Sequence, residues 1–338
     1  MVVYQNISLL PYNTFGIDVK AAQFVEVKTV EEVQVICTTF NLHERKNLIL
    51  GGGSNILLTK DFEGMVVKMN LKGIDTIRED ENHVWVKAMS GELWNDFVMY
   101  CVNRNYAGVE NLSLIPGCVG AAPMQNIGAY GVELKETFEE LFAIDMESGK
   151  LVKFTNAECK FGYRESIFKN EAKGKYIIVA VTFKLSKNPN FNISYGAIKE
   201  TLEKRGIPEP DIKSISDVII EIRTSKLPNP ELLGNSGSFF KNPEIQKEKF
   251  DALKVLFPDI VGYPLPNNLV KVPAGWLIEQ CGWKGKKVGN TGAHKDQSLV
   301  LVNYGGASGD EIWQLALRIS ESVQDKFGIK ITPEVNII

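Results

Sequence analysis

Apolar positions near the start of the chain alternate between two periods. Residues 24–27 read as a strand, and Thr29, with Glu32 three residues on, opens a helix that turns Val33, Ile36 and Phe40 to one side. The apolar run Asn47–Leu50 then enters Gly51, Gly52, Gly53, Ser54 and Asn55 and leaves through residues 56–58, so a β-α-β unit feeds a glycine loop. Beyond Lys72 and Gly73 the period shortens to two. Val84, Val86 and Ala88 alternate, residues 141–145 and 151–154 pair as a hairpin around Ser148 and Gly149, and residues 176–185 form a buried strand. A proline-rich connection over residues 205–210 leads into a helical stripe at Val218, Ile219 and Ile222. Residues 273–282 read as a short helix stopped by glycine, with Trp276 and Ile278 inward. The best-marked helix follows Ser308, whose capping partner is Glu311; it carries Ile312, Leu315, Ile319 and Val323 at helical spacing and stops at Gly328. Alternation over residues 329–338 predicts a final strand.

These shifts divide the chain into three α+β parts: residues 1–72, rejoined by the C-terminal strand 328–338; residues 73–213; and residues 214–327. The composition is that of a globular protein, 44% hydrophobic and 23% charged over 338 residues. With 38 basic against 41 acidic side chains there is no excess of cations for a polyphosphate backbone, so nucleic acid is not an expected partner. Five scattered cysteines, none in a C-x-x-C pair, indicate neither a disulfide framework nor a zinc site and fit a reducing compartment. The start lacks a basic and apolar leader pattern and no run spans a bilayer, so a cytoplasmic protein without membrane association is expected.

Six places along the chain could carry chemistry. The Gly51–Asn55 loop offers successive backbone N–H groups with no side chain in the way, suiting either a diphosphate cradle or a tight turn; it is neither G-x-G-x-x-G nor a Walker A loop. Residues 113–131 are rich in glycine, alanine and proline with no regular period, which suits close approach to a flat ring system or an irregular packed loop, and Gln125 and Asn126 there supply donors and acceptors. Arg164 follows the turn at residues 160–162 and is suited to bidentate carboxylate binding or to a structural role. Ser238 sits on a glycine turn with Lys241 and Asn242 close behind. The nearest histidine to it is His294 and there is no G-x-S-x-G elbow, so a hydrolase triad has weak support. Glu334 follows Pro333 and is either an exposed edge charge or a group aimed into a cleft, and Gln280 is a candidate polar lining.

The order and spacing of these segments, with Asn13-Thr-Phe-Gly16, Tyr163-Arg164, residues 274–280 and Pro333-Glu334, resemble the UDP-N-acetylenolpyruvoylglucosamine reductase family from about Asn13 to Glu334. The resemblance implies non-covalent FAD in a two-subdomain module of the vanillyl-alcohol-oxidase or PCMH type, plus a third domain that closes over a UDP-sugar. By the family pattern, Gly51, Gly52, Gly53, Ser54 and Asn55 hold the FAD diphosphate. Gly117, Gly120, Gln125, Asn126, Gly128, Ala129, Tyr130 and Gly131 line the flavin and adenine-bearing chain. Residues 194–196 resemble the tyrosine loop of the longer, type I branch, so Tyr195 closes over the nucleotide-sugar, and Lys226, Asn242 and Gln280 match further substrate contacts.

The implied reaction is NADPH-dependent, FAD-mediated reduction of UDP-N-acetylglucosamine enolpyruvate in peptidoglycan precursor synthesis, with Arg164, Ser238 and Glu334 catalytic and no metal. A monomer is expected. Cys118, inside the flavin-lining run, is expected to be an ordinary small core residue rather than a covalent flavin anchor. Two other readings stand beside this one: another FAD oxidoreductase of the same fold acting on a different sugar or alcohol, and a non-catalytic nucleotide-binding protein. The filled catalytic positions argue against decay.

Overall fold

A computed structural model describes residues 1–338, and the chain is α+β. It divides into two compact units. The first takes residues 1–7, 21–52 and 63–225; the second takes residues 8–20, 53–62 and 226–338.

In the first unit a four-stranded sheet runs in the order Val3–Ser8, Lys20–Val27, Phe62–Met69, Asn47–Leu50, the last two parallel. The helix expected after Thr29 is Val30–Thr39, and the Thr29 side chain accepts the Glu32 N–H as its cap. Val33 and Ile36 from this helix pack with Val25, Val27, Met65 and Val67 of the sheet. A second, antiparallel sheet has the order Leu151–Thr155, Phe138–Asp145, Tyr176–Ser186, His83–Met89, Ile74–Glu79. Its central strand is the one read as buried, and the 138–145 and 151–155 strands form the expected hairpin. Trp94 and Phe97 of the helix Trp94–Val102 close on Phe183, with ring centroids 5.7 and 4.5 Å away. Two further helices, Gly196–Lys204 and Ile212–Lys226, bury Ile198, Leu202, Ile215, Val218, Ile219 and Ile222 against each other.

The second unit holds a four-stranded sheet ordered Gly234–Ser238, Val300–Asn303, Thr291–Ala293, Lys287–Val288, and a small three-stranded one. The helix Gly309–Phe327 has both halves of the predicted Ser308/Glu311 capping box and ends on Gly328 at φ +63°. In the helix Ala274–Gln280, Ile278 is buried as expected, whereas Trp276 is only half-buried.

The final strand differs from expectation. Only Asn336–Ile337 is a regular strand, parallel to Ile56–Leu57. The alternation is nonetheless real, since Ile329, Ile331 and Val335 are buried. The segment pairs first with residues 239–241 and only afterwards with residues 56–57, and Pro333, which has no N–H to donate, sits at the first of these pairings. No helix is long and apolar enough to cross a membrane.

Candidate active site

In the first unit the strand Asn47–Leu50 delivers Gly51 and Gly52 against a second glycine turn. A Cβ on Gly52 would lie 3.0 Å from the Gly117 Cα, and one on Gly51 would lie 3.4 Å from the Cys118 Cβ. Two bare backbones therefore pack back to back. Trp94 N–H holds the Gly117 carbonyl at 2.9 Å, and Gly120, whose Cβ would fall 2.5 Å from that of Ser90, donates to the Ser90 carbonyl at 3.0 Å. Beneath this cradle the Lys68 ammonium donates to the Gly51 carbonyl at 2.5 Å. Burial pushes the Lys68 pKa down, partly offset by Cys118. A side-chain-free double turn backed by a cation is a shape and a charge that fit the diphosphate of a dinucleotide such as FAD.

The stretch expected to lack regular structure is more ordered than its composition suggests. Residues Val119–Gln125 form a 3₁₀ helix, and Gly128–Ala129 pairs with Val132–Glu133 in a hairpin. The two linking residues, Tyr130 and Gly131, have φ +50° and +81°, the left-handed pair that a tight hairpin of right-twisted strands requires. Gln125 is half-buried.

The Asn126 side chain is bonded within the fold. It is fully buried; its Nδ2 donates to Glu133 Oε2 at 3.1 Å and to the Gly162 carbonyl at 2.9 Å, and its Oδ1 accepts the Lys135 N–H at 3.0 Å. It positions the neighbouring turn. That turn, Gly162 to Glu165, is closed by reciprocal backbone bonds and carries Arg164 at φ +56°. The Arg164 guanidinium donates through Nη2 to the Gly128 carbonyl at 2.8 Å, so the cation lies against the glycine-rich run of residues 117–131. Ser166 and Lys169 anchor the turn from behind, Ser166 to the Met124 carbonyl at 2.7 Å and Lys169 to the Arg164 carbonyl at 3.2 Å. Tyr195, about half exposed, meets Tyr130 edge to face with centroids 5.2 Å apart.

The second unit assembles its own group. Gly53 sits at φ +64° with the Tyr12 carbonyl 1.9 Å from where a Cβ would be, so only glycine fits. Asn13 builds the turn that makes this contact, bonding the Leu9 and Ile17 carbonyls at 2.8 and 2.9 Å. The Ser54 carbonyl accepts Ser236 Oγ at 2.6 Å, and the Asn55 carbonyl accepts the Asn336 N–H at 3.1 Å. Ser238 is exposed at the end of its strand, just after Gly237 at φ +67°, while the fully buried Phe239 and Phe240 behind it fix the backbone. The Glu334 N–H donates to the Phe239 carbonyl at 2.8 Å, which ties the half-buried Glu334 beside Ser238 along the chain pairing. Asn242 spends its Oδ1 on the Ala274 N–H, 2.9 Å away, at the start of the helix Ala274–Gln280. Lys226 and Gln280 are exposed.

Two residues escaped the sequence reading although each left a trace. Lys68 is a cation between the buried Val67 and Met69 of its strand. Arg223 continues the inner stripe of its helix four residues after Ile219; burial pushes its pKa down, and it bonds the Tyr130 hydroxyl. No group of three or more His, Cys, Asp or Glu side chains converges as a metal site.

Comparison with known proteins adds the following. Residues 229–338 match the sequence family described as UDP-N-acetylenolpyruvoylglucosamine reductase, C-terminal domain, and residues 21–155 match an FAD binding domain. The UDP-N-acetylenolpyruvoylglucosamine reductase of Flavobacterium johnsoniae is 52% identical over 339 residues, covering 100% of both chains. That of Amoebophilus asiaticus is 48% identical, again over 100% of both, and that of Pseudomonas aeruginosa is 45% identical over 98% of each. Among solved structures, the UDP-N-acetylenolpyruvylglucosamine reductase (MurB) of Thermus caldophilus superposes with a TM-score of 0.70 at 23% identity, over 100% of this chain and 99% of that one, which is a likeness of fold.

Proposed function

The chain belongs to the UDP-N-acetylenolpyruvoylglucosamine reductase family, and on that premise we propose how its residues divide the work. It is an FAD-dependent oxidoreductase of peptidoglycan precursor synthesis acting on UDP-N-acetylglucosamine enolpyruvate. The FAD module is of the vanillyl-alcohol-oxidase or PCMH type. Gly51, Gly52, Gly53, Ser54 and Asn55 hold the FAD diphosphate, with Lys68 behind them. The backbone of residues 117–131 lines the rings, while Asn126 acts from within. When bound, FAD would supply the hydride-transfer chemistry between NADPH and the enolpyruvyl methylene carbon.

Negative charge then develops on the neighbouring carbon and its carboxylate. Arg164 holds that carboxylate as a preorganised cation, its side chain already directed by Gly128 and its turn by Asn126. Ser238 Oγ delivers the proton to the carbanion; a serine is a weak acid, so it works by proximity to a strongly basic acceptor. Glu334 orients and polarises the carboxylate. Tyr195, Lys226, Asn242 and Gln280 bind the nucleotide-sugar, Asn242 through the amide group that its helix contact leaves over. The enzyme works as a cytoplasmic monomer in which residues 1–72, rejoined by 328–338, and residues 73–213 form the two cofactor subdomains and residues 214–327 the substrate part.

The observation that supports this reading is the backbone bond from Glu334 to Phe239, the residue that follows the exposed Ser238, which keeps Ser238 and Glu334 in one folded unit. Ser238→Ala should keep flavin reduction by NADPH at the wild-type rate while turnover of the enolpyruvyl sugar falls by about 10²–10⁴-fold, the usual worth of positioned proton transfer. Unchanged steady-state turnover in that variant removes Ser238 from the mechanism.

A further inference from the structure

Asn111 is 1% exposed and takes no part in the scheme above, yet it joins two segments that the scheme uses. Its Nδ2 donates to the Tyr130 carbonyl at 3.2 Å and to the Asn192 carbonyl at 2.8 Å, partners 19 and 81 residues away in the chain. Its Oδ1 is buried without a partner. An apolar side chain of the same size would avoid the cost of that stranded oxygen, so the residue type is explained by what the two donors hold rather than by stability.

What they hold is the seat of Tyr195. Tyr130 stands at the tip of its hairpin with φ +50°, a backbone geometry that a bulky side chain adopts only when its surroundings impose it. Asn192 returns a second link, its Nδ2 donating to the Gly131 carbonyl at 3.0 Å, while its Oδ1 accepts Ser194 Oγ at 2.7 Å. The Tyr130 and Tyr195 rings then meet edge to face at 5.2 Å and 85°. Hairpin tip and tyrosine loop are thus one framework closed by two amide side chains.

We infer that Asn111 is a positioning residue for substrate binding: its two hydrogen bonds lock the Tyr130 hairpin to the 192–195 segment and so hold Tyr195 ready for the nucleotide-sugar. This rests on the reading of Tyr195 as a substrate contact. An Asn111→Leu enzyme keeps the bulk and loses both donors. Its KM for UDP-N-acetylglucosamine enolpyruvate should rise about tenfold, the effect of one lost hydrogen bond of ordinary strength. FAD affinity and the limiting rate of flavin reduction by NADPH should stay within about twofold, a separation that general misfolding would not produce.

The decisive comparison is a double-mutant cycle with Tyr195→Ala. If Asn111 acts through Tyr195, adding Asn111→Leu to Tyr195→Ala raises KM no further. Full additivity, or an unchanged KM in the single Asn111→Leu enzyme while Tyr195→Ala is impaired, overturns the inference and leaves Tyr195 in place. An unchanged KM in Tyr195→Ala itself overturns the substrate reading of that residue and the inference with it. Should Asn111→Leu fail to fold, Asn111→Ala removes the same two donors without a branched side chain and carries the same expectations and the same contradictions.

Discussion

Arg164, the proposed catalytic cation, shows how much local structure holds one side chain. A left-handed backbone costs a non-glycine residue about 1–2 kcal/mol, and here the turn that imposes it is braced by Asn126, Ser166 and Lys169. The type of residue at this position was readable from the sequence, but the bracing was not. Asn126 is the clearest case: an amide in a glycine-rich run suggests a ligand contact, whereas burial spends every hydrogen bond of its side chain inside the fold. Lys68 is the converse, a cation whose partner is a main-chain carbonyl and therefore leaves no mark on the sequence. Lys68→Met should weaken FAD binding about tenfold, which corresponds to ~1.4 kcal/mol, by removing the positive charge beneath the diphosphate. Titration of the apoprotein with FAD, followed by quenching of flavin fluorescence, reads this directly, and an unchanged dissociation constant would take Lys68 out of the cradle.

Among the elements, those marked by local chemistry matched their sequence pattern closely. Thr29 and Ser308 cap their helices as the spacing to Glu32 and Glu311 predicts, and Gly328 ends the second. Ser308→Ala should lower stability by about 1 kcal/mol, visible as a lower denaturant midpoint at an unchanged slope, since the cap touches no proposed ligand residue. Elements whose form depends on distant partners were harder to read. The 3₁₀ turn at Val119–Gln125 and the hairpin after it carry small residues with no period. The last strand is interrupted because its neighbours change from residues 239–241 to residues 56–57 along its length, and no local rule encodes that exchange.

On the scale of the whole molecule, the division into two units runs through segments that sequence periodicity assigns to one body. Residues 8–20 and 53–62 fold with the C-terminal part because Asn235 bonds the Thr14 carbonyl, Ser236 bonds that of Ser54, and Asn336 pairs across to Ile56. Cys118, by contrast, is buried as its sequence position suggested, and Cys37, Cys101 and Cys159 are buried free thiols as well. Burial pushes Cys37 up from 9.0 to about 11 and Cys159 up to about 12. The folded chain holds these protons more tightly than the unfolded one, so their stabilising contribution is complete below about pH 9 and is lost as pH rises through 11 and 12. Stability at pH 10.5 should accordingly fall below that at pH 8 at constant salt, and at pH 8 an alkylating thiol reagent should label Cys281, the one cysteine that is not fully buried, ahead of the others.

The central claim is that one flavin site serves both a nicotinamide donor and an enolpyruvyl sugar. An anaerobic visible spectrum of the purified holoenzyme tests it most directly. Adding NADPH should bleach the flavin bands, and adding UDP-N-acetylglucosamine enolpyruvate afterwards should restore them in full. A protein that bleaches with NADPH but stays bleached when the sugar is added, or one that cannot take up FAD, would contradict the account.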